Sequence, residues 1–158
     1  SWLMTWSSTS TQQMAALVSG PIGIGKTLAI DLVIKNSGDY NIIELNPDDE
    51  RTATYINSRI KPILKNSKTM FGLQNILVIN DIDFASDYGF IGSIVECIKE
   101  TKIPIICVCN DRYNQKLKTL TNYCLDVRFQ RPSIVEITKF IEDIVKKEKI
   151  NISSTNLK

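Results

Sequence analysis

The amino-acid sequence predicts an α/β fold: a five-stranded parallel sheet with helices on both faces, followed by one further helix. Three features carry this prediction. Apolar runs such as Ile76-Leu77-Val78-Ile79 and Ile105-Ile106-Cys107-Val108 are continuous rather than alternating, as strands buried on both faces require. A stretch of helical character follows each run, so consecutive strands are joined by crossovers. The string Gly20-Pro21-Ile22-Gly23-Ile24-Gly25-Lys26-Thr27 links the first strand to the first helix.

In chain order, the first strand is expected over 15–19, and 26–35 has few helix breakers and forms a helix punctuated by Gly38. Strands follow at 41–45, 76–80, 103–109 and 125–129, with Pro104 tolerated near a strand start. Helices at 50–64, 90–99 and 113–120 connect them. After Arg131-Pro132 the character changes. Ser133-Ile134-Val135-Glu136 reads as a capping box, opening a helix with Ile137, Phe140, Ile141, Ile144 and Val145 at apolar positions. The polar stretch 151–158, in which only Ile152 and Leu157 are apolar, reads as a frayed or truncated end. The expected division is therefore 1–131 and 132–158.

The G-x-x-x-x-G-K-T pattern points to a nucleoside triphosphate site. Its glycines let successive backbone N–H groups turn inward around the phosphates. Lys26 reaches the same oxygens as a point charge, and the Thr27 hydroxyl is placed to ligate Mg²⁺. Gly20 to Thr27, with Leu28 behind them, are the expected nucleotide-binding residues, and the helix they open directs its N-terminal dipole at the phosphates. No N-K-x-D guanine signature occurs, which favours ATP. The third strand ends in Asn80-Asp81-Ile82-Asp83, where such proteins place a carboxylate that orders magnesium and a second that polarises water. The fourth ends in Cys109-Asn110-Asp111-Arg112; Asn110 either orients attacking water near the γ-phosphate or caps the helix that follows.

At 158 residues, 43% hydrophobic and 23% charged, the chain has the make-up of a single soluble domain. No apolar run approaches the roughly 20 residues of a membrane span, and no signal-peptide layout opens the chain, so an intracellular protein is expected. The four cysteines, Cys97, Cys107, Cys109 and Cys124, show no C-x-x-C pairing and read as buried, reduced thiols. A net charge of +2 does not argue for nucleic acid, and local lysines such as Lys61, Lys65 and Lys68 read first as solvated helix faces.

Beyond the phosphate loop, three strings are distinctive. The stretches Cys109-Asn110-Asp111-Arg112 and Arg128-Phe129-Gln130-Arg131-Pro132, together with Glu44-Leu45-Asn46-Pro47-Asp48-Asp49-Glu50-Arg51, resemble the large-subunit family of replication factor C, the AAA+ sliding-clamp loader. Trp2-Leu3-Met4-Thr5-Trp6 is similar to the W-L-x-x-W that precedes that family's phosphate loop, and the likeness runs to about Ile152. The resemblance implies a three-layer AAA+ P-loop domain over 1–131 and the beginning of a helical lid over 132–158. It implies ATP with Mg²⁺ as cofactors, Thr27, Asn80 and Asp81 as metal-site residues, Asp81 in the slot of the catalytic glutamate that polarises water, and Asn110 as first sensor. It also implies small clamp-loader subunits, a sliding clamp and primer-template DNA as partners. The location implied is the nucleus, or a cytoplasmic viral replication site. The family's lid arginine and collar would follow Lys158.

Two departures matter. The family carries aspartate then glutamate where this chain has Asn80 and Asp81. An amide brings no charge to hydrated magnesium, and aspartate is one methylene shorter than glutamate, so its carboxylate falls about 1.5 Å short. Binding without effective hydrolysis is the expectation, since misplacement by about 1 Å costs roughly 100-fold in rate. A one-residue slip to Asp81 and Asp83 is the alternative. Met70-Phe71 is the nearest counterpart of the apolar pair with which the family grips its clamp; packing of Phe71 against the domain's own helices is the favoured reading of that residue. A static nucleotide-binding scaffold and a small phosphate-loop kinase are the competing functions.

Overall fold

The computed structural model describes residues 2–7, 13–84 and 88–149. Ile152 and Leu157, and the end of the expected second domain, lie outside those residues. The described elements begin with a short helix α1 (Trp2–Thr5), strand β1 (Ala15–Ser19), helix α2 (Lys26–Ser37) and strand β2 (Tyr40–Leu45). Residues 53–64 are helical: α3 (Ala53–Tyr55), a π turn (Ile56–Ile60) and α4 (Lys61–Leu64). Then come β3 (Gln74–Ile79), α5 (Tyr88–Glu100), β4 (Ile105–Cys109), α6 (Lys118–Thr121), β5 (Cys124–Arg128) and α7 (Ile134–Lys147).

The five strands form one parallel sheet in the order β2-β3-β4-β1-β5. Alternation along each strand sorts its side chains into two cores. Ala15, Leu17, Leu77, Ile79, Ile105 and Cys107 face one cluster, which α5 closes with Phe90, Ile94 and Ile98. Val18, Ile76, Val78, Ile106 and Val108 face the other, where Ile30 and Ile34 of α2 and Leu3 of α1 cover them. Lys26, Ile30 and Ile34 recur every four residues on the buried stripe of α2. The result is three layers, helix on sheet on helix.

Several boundaries differ from expectation. The strand predicted to reach position 80 ends at Ile79, leaving Asn80 in the turn, and that predicted from 103 starts at Ile105, after Pro104. The helix predicted from Glu50 starts at Ala53, because the Thr52 side chain accepts from the Tyr55 amide as its cap. In its middle the Lys61 amide donates to the Ile56 carbonyl, five residues back. Pro62, which has no N–H to give, follows at once, and the widened turn carries the chain past it.

The tryptophans of α1 and its exit pin the N-terminus to the sheet. Trp2 and Trp6 donate their indole N–H groups to the carbonyls of Gln13 and Met14, at 3.0 and 3.1 Å, just ahead of β1. At the far end, the expected capping box of α7 is formed: Glu136 accepts from the Ser133 amide at 2.7 Å, and Ser133 Oγ accepts from the Glu136 amide. No residue of α7 is buried. Among the described residues no helix is long and apolar enough to cross a membrane.

Candidate nucleotide-binding site

The loop from Gly20 to Gly25 follows β1, at the carboxyl end of the sheet, where parallel sheets of this type hold ligands. Gly23 and Gly25 have φ of 78° and 90°, values that side-chain-bearing residues rarely adopt. Gly20 is required for a second reason. A Cβ there would meet the Phe129 carbonyl oxygen at 2.6 Å, because Phe129 donates its amide to the Ser19 carbonyl at 2.7 Å and runs against the loop. The Arg-Phe-Gln-Arg-Pro string thus supports the loop by close backbone contact.

Lys26, 7% exposed, lies across the loop. Its ammonium donates to the carbonyls of Gly20 and Pro21 at 2.8 and 3.0 Å and to Asn110 Oδ1 at 2.8 Å. Asn110 in turn donates from Nδ2 to Asp81 Oδ1 at 3.1 Å. Gly25 caps α2 with no side chain on the first amides, leaving that end open to an anion. A cleft of about 660 Å³ opens here, lined by Ile22, Gly23, Gly25 to Leu28, Asn46, Asn80, Asp81, Phe84 and Asn110. That volume is within the range of small-molecule sites.

The structure therefore brings Lys26, Asp81 and Asn110 into one hydrogen-bonded chain beside Thr27 and Leu28, which are exposed at the cleft. Asn80 is held differently. Its Nδ2 donates to Asn46 Oδ1 at 2.9 Å, and among the described residues its Oδ1 is buried without a partner. Asp83 does not line the cleft: its carboxylate accepts the amides of Asn110 and Asp111 at 3.0 and 3.1 Å, tying the turn after β3 to the end of β4. The slipped pairing of Asp81 with Asp83 thus has one of its two carboxylates committed elsewhere.

Met70 and Phe71 sit at the other end of β3, on a tight turn in which the Thr69 amide donates to Leu73 and Gly72 donates back to Thr69. They are 90% and 84% exposed. The expectation that Phe71 packs against the domain's own helices is therefore corrected. The turn is closed by backbone bonds and an antiparallel bridge between Lys68 and Gln74, which lift its tip off the core.

Arg51, Asn46 and Phe84 were not among the expected site residues. The Arg51 guanidinium donates to the carbonyls of Asn46 at 3.2 Å, Asp81 at 2.7 Å and Asn80, and lies over the Phe90 ring. Burial pulls its pKa down against the pull of Asp81 and neighbouring aspartates. Asp81, at φ 46° in the left-handed region, is held by its own carbonyl as well as by its carboxylate. The one available signal was the placing of Arg51 in the Leu45 to Arg51 string.

A phosphate fits this cleft; a divalent cation would find there the Thr27 hydroxyl and a single carboxylate, Asp81. The first carboxylate position is a neutral amide, Asp81 is engaged by Asn110, and Asp83 is turned away.

A profile of the family described as "ATPase family associated with various cellular activities (AAA)" matches residues 16–133. The chain is 38% identical over 152 residues to Replication factor C subunit 1 of Drosophila melanogaster, covering 88% of this chain and 15% of that protein. It is 36% identical over 151 residues to Replication factor C subunit 1 of Homo sapiens, covering 87% of this chain and 13% of that one. To the Replication factor C large subunit of Nanoarchaeum equitans it is 36% identical over 142 residues, 88% of this chain and 33% of that protein. The chain thus spans a third or less of the length of these relatives.

Proposed function

The chain belongs to the AAA family of ATPases, with large subunits of replication factor C among its relatives, and from that membership we propose that it is the ATP-binding domain of a clamp-loader large subunit. The observation that carries the proposal is the convergence of Lys26, Asn110 and Asp81 at a phosphate loop that opens a helix. In this reading Gly20 to Leu28 cradle the phosphates and Lys26 is their counter-charge. Asn110 senses the γ-phosphate, because the nucleotide must take Lys26 from it. Asp81 stands in the slot of the water-polarising glutamate, and α7 begins the lid.

Partner contacts belong to the same reading. Small clamp-loader subunits flank the domain, primer-template DNA is engaged through the full assembly in the nucleus, and Met70-Phe71 supply the apolar tip that meets the sliding clamp. Their exposure supports that role, since an apolar pair held off its own core is available to a partner.

Asn80 supports a second reading, in which nucleotide is held statically and the domain scaffolds its complex. Binding of labelled ATP, lost in Lys26→Ala, tests the site itself. Turnover then separates the readings: ATP hydrolysis that Lys26→Ala abolishes defeats the static scaffold. Turnover at background in wild type, raised about 100-fold by Asn80→Asp with Asp81→Glu, supports it.

A further inference from the structure

The cleft keeps what a triphosphate needs but offers a divalent cation only the Thr27 hydroxyl and the Asp81 carboxylate, with a neutral amide at the first carboxylate position. On the phosphate side, Lys26 is the buried cation of the loop, and the carbonyl and amide oxygens it now contacts are weaker acceptors than phosphate. The uncapped start of α2 adds oriented amides. On the cation side, Mg²⁺ is ordinarily held by one or two carboxylates together with the substrate phosphates. Here Asn80 spends its Nδ2 on Asn46 and buries a neutral Oδ1, while Asp81 is bonded by Asn110. Behind both residues the Arg51 guanidinium binds their main-chain carbonyls, placing a positive charge beside the turn that a dication would approach.

We propose that this site takes its nucleoside triphosphate without needing a divalent cation, the phosphate charge being met by Lys26 and the first amides of α2. The proposal rests on the nucleotide-binding reading above. It differs from a loss of catalysis, because it concerns affinity in the ground state.

The test is a fluorescence titration of the protein with N-methylanthraniloyl-ATP, once with magnesium chloride and once with EDTA. Dissociation constants that agree within about fivefold are expected in wild type, and a dependence above about tenfold in Asn80→Asp, which restores the missing charge in nearly the same shape. A wild-type affinity that falls by more than about fivefold in EDTA overturns the proposal. Wild-type independence that persists in a folded Asn80→Asp variant overturns its assignment to Asn80. Absence of binding under both conditions instead overturns the nucleotide reading, so the two failures are distinguishable. The wild-type comparison stands even where the variant does not fold.

Discussion

Lys26 and Asn110, 84 positions apart in sequence, are joined by a hydrogen bond of 2.8 Å from the lysine Nζ to the asparagine Oδ1. The contact exists because β4 lies beside β1 in the sheet, so the end of β4 reaches over the start of α2. Asn110 carries the connection on to Asp81 at 3.1 Å, after β3 on the far side of β4. In the proposed nucleotide-binding reading, a phosphate that takes Lys26 would change the partners of Asn110, and through it those of Asp81.

Asn110→Ala is therefore expected to alter nucleotide preference rather than abolish binding. The substitution removes one of three acceptors that compete with phosphate for Lys26, a bond to a charged group of a kind worth about 1.5–3 kcal/mol. ADP affinity should rise about tenfold or more. ATP should gain less, because the variant also loses the γ-phosphate contact assigned to Asn110. Competition titrations with both nucleotides check this, and an unchanged ADP affinity would count against the competition.

Arg51→Lys is expected to destabilise the fold although the charge is kept. A lysine ammonium cannot reproduce the planar fork that serves the carbonyls of Asn46, Asn80 and Asp81 together. With those carbonyls under-satisfied and Asp81 less well held at its positive φ, the loss should be about 2 kcal/mol. Urea unfolding of wild type and variant measures it; a difference within about 0.5 kcal/mol would place Arg51 outside the framework of the site.

The sheet and the phosphate loop were legible in the sequence for a physical reason: both are local. Continuous apolar runs report burial on two faces, and the glycine spacing of the loop reports its own backbone turns. The capping box at Ser133 was legible on the same ground, being complete within four residues. What the sequence did not disclose depends on register between distant segments. Whether Asp83 faces the cleft or caps β4, and that Arg51 reaches the turn after β3, follow only once β2, β3 and β4 are side by side. Phe71 was misjudged because an apolar residue is expected inside, and the backbone bonds that hold its turn clear of the core carry no side-chain pattern.

Met70→Ala with Phe71→Ala should leave stability within about 0.5 kcal/mol of wild type, since neither side chain packs on the domain. If the proposed clamp contact is right, the same double variant loses clamp binding in a pull-down of the purified protein while its melting temperature stays put. Binding that is undiminished removes the clamp role from this turn; a clear loss of stability would mean that the tip packs where the structure leaves it exposed.

The buried thiols set an alkaline limit to stability. Burial pushes Cys97 up to about 11 and Cys109 to about 12 from the ordinary 9.0, and a hydrogen bond with Cys124 together with burial also holds Cys107 well above 9.0. In the unfolded chain these groups ionise near pH 9.0, while in the native state they stay neutral, so the folded pKa is the higher one. Such a group contributes fully below the unfolded value and loses its contribution as pH climbs towards the folded value. Unfolding free energy should therefore fall between pH 9 and about 12, and the fall should be shallower in Cys109→Ala by up to one proton, about 1.4 kcal/mol per pH unit. Urea melts across that range compare the two slopes. Parallel slopes would mean that Cys109 ionises freely in the folded chain.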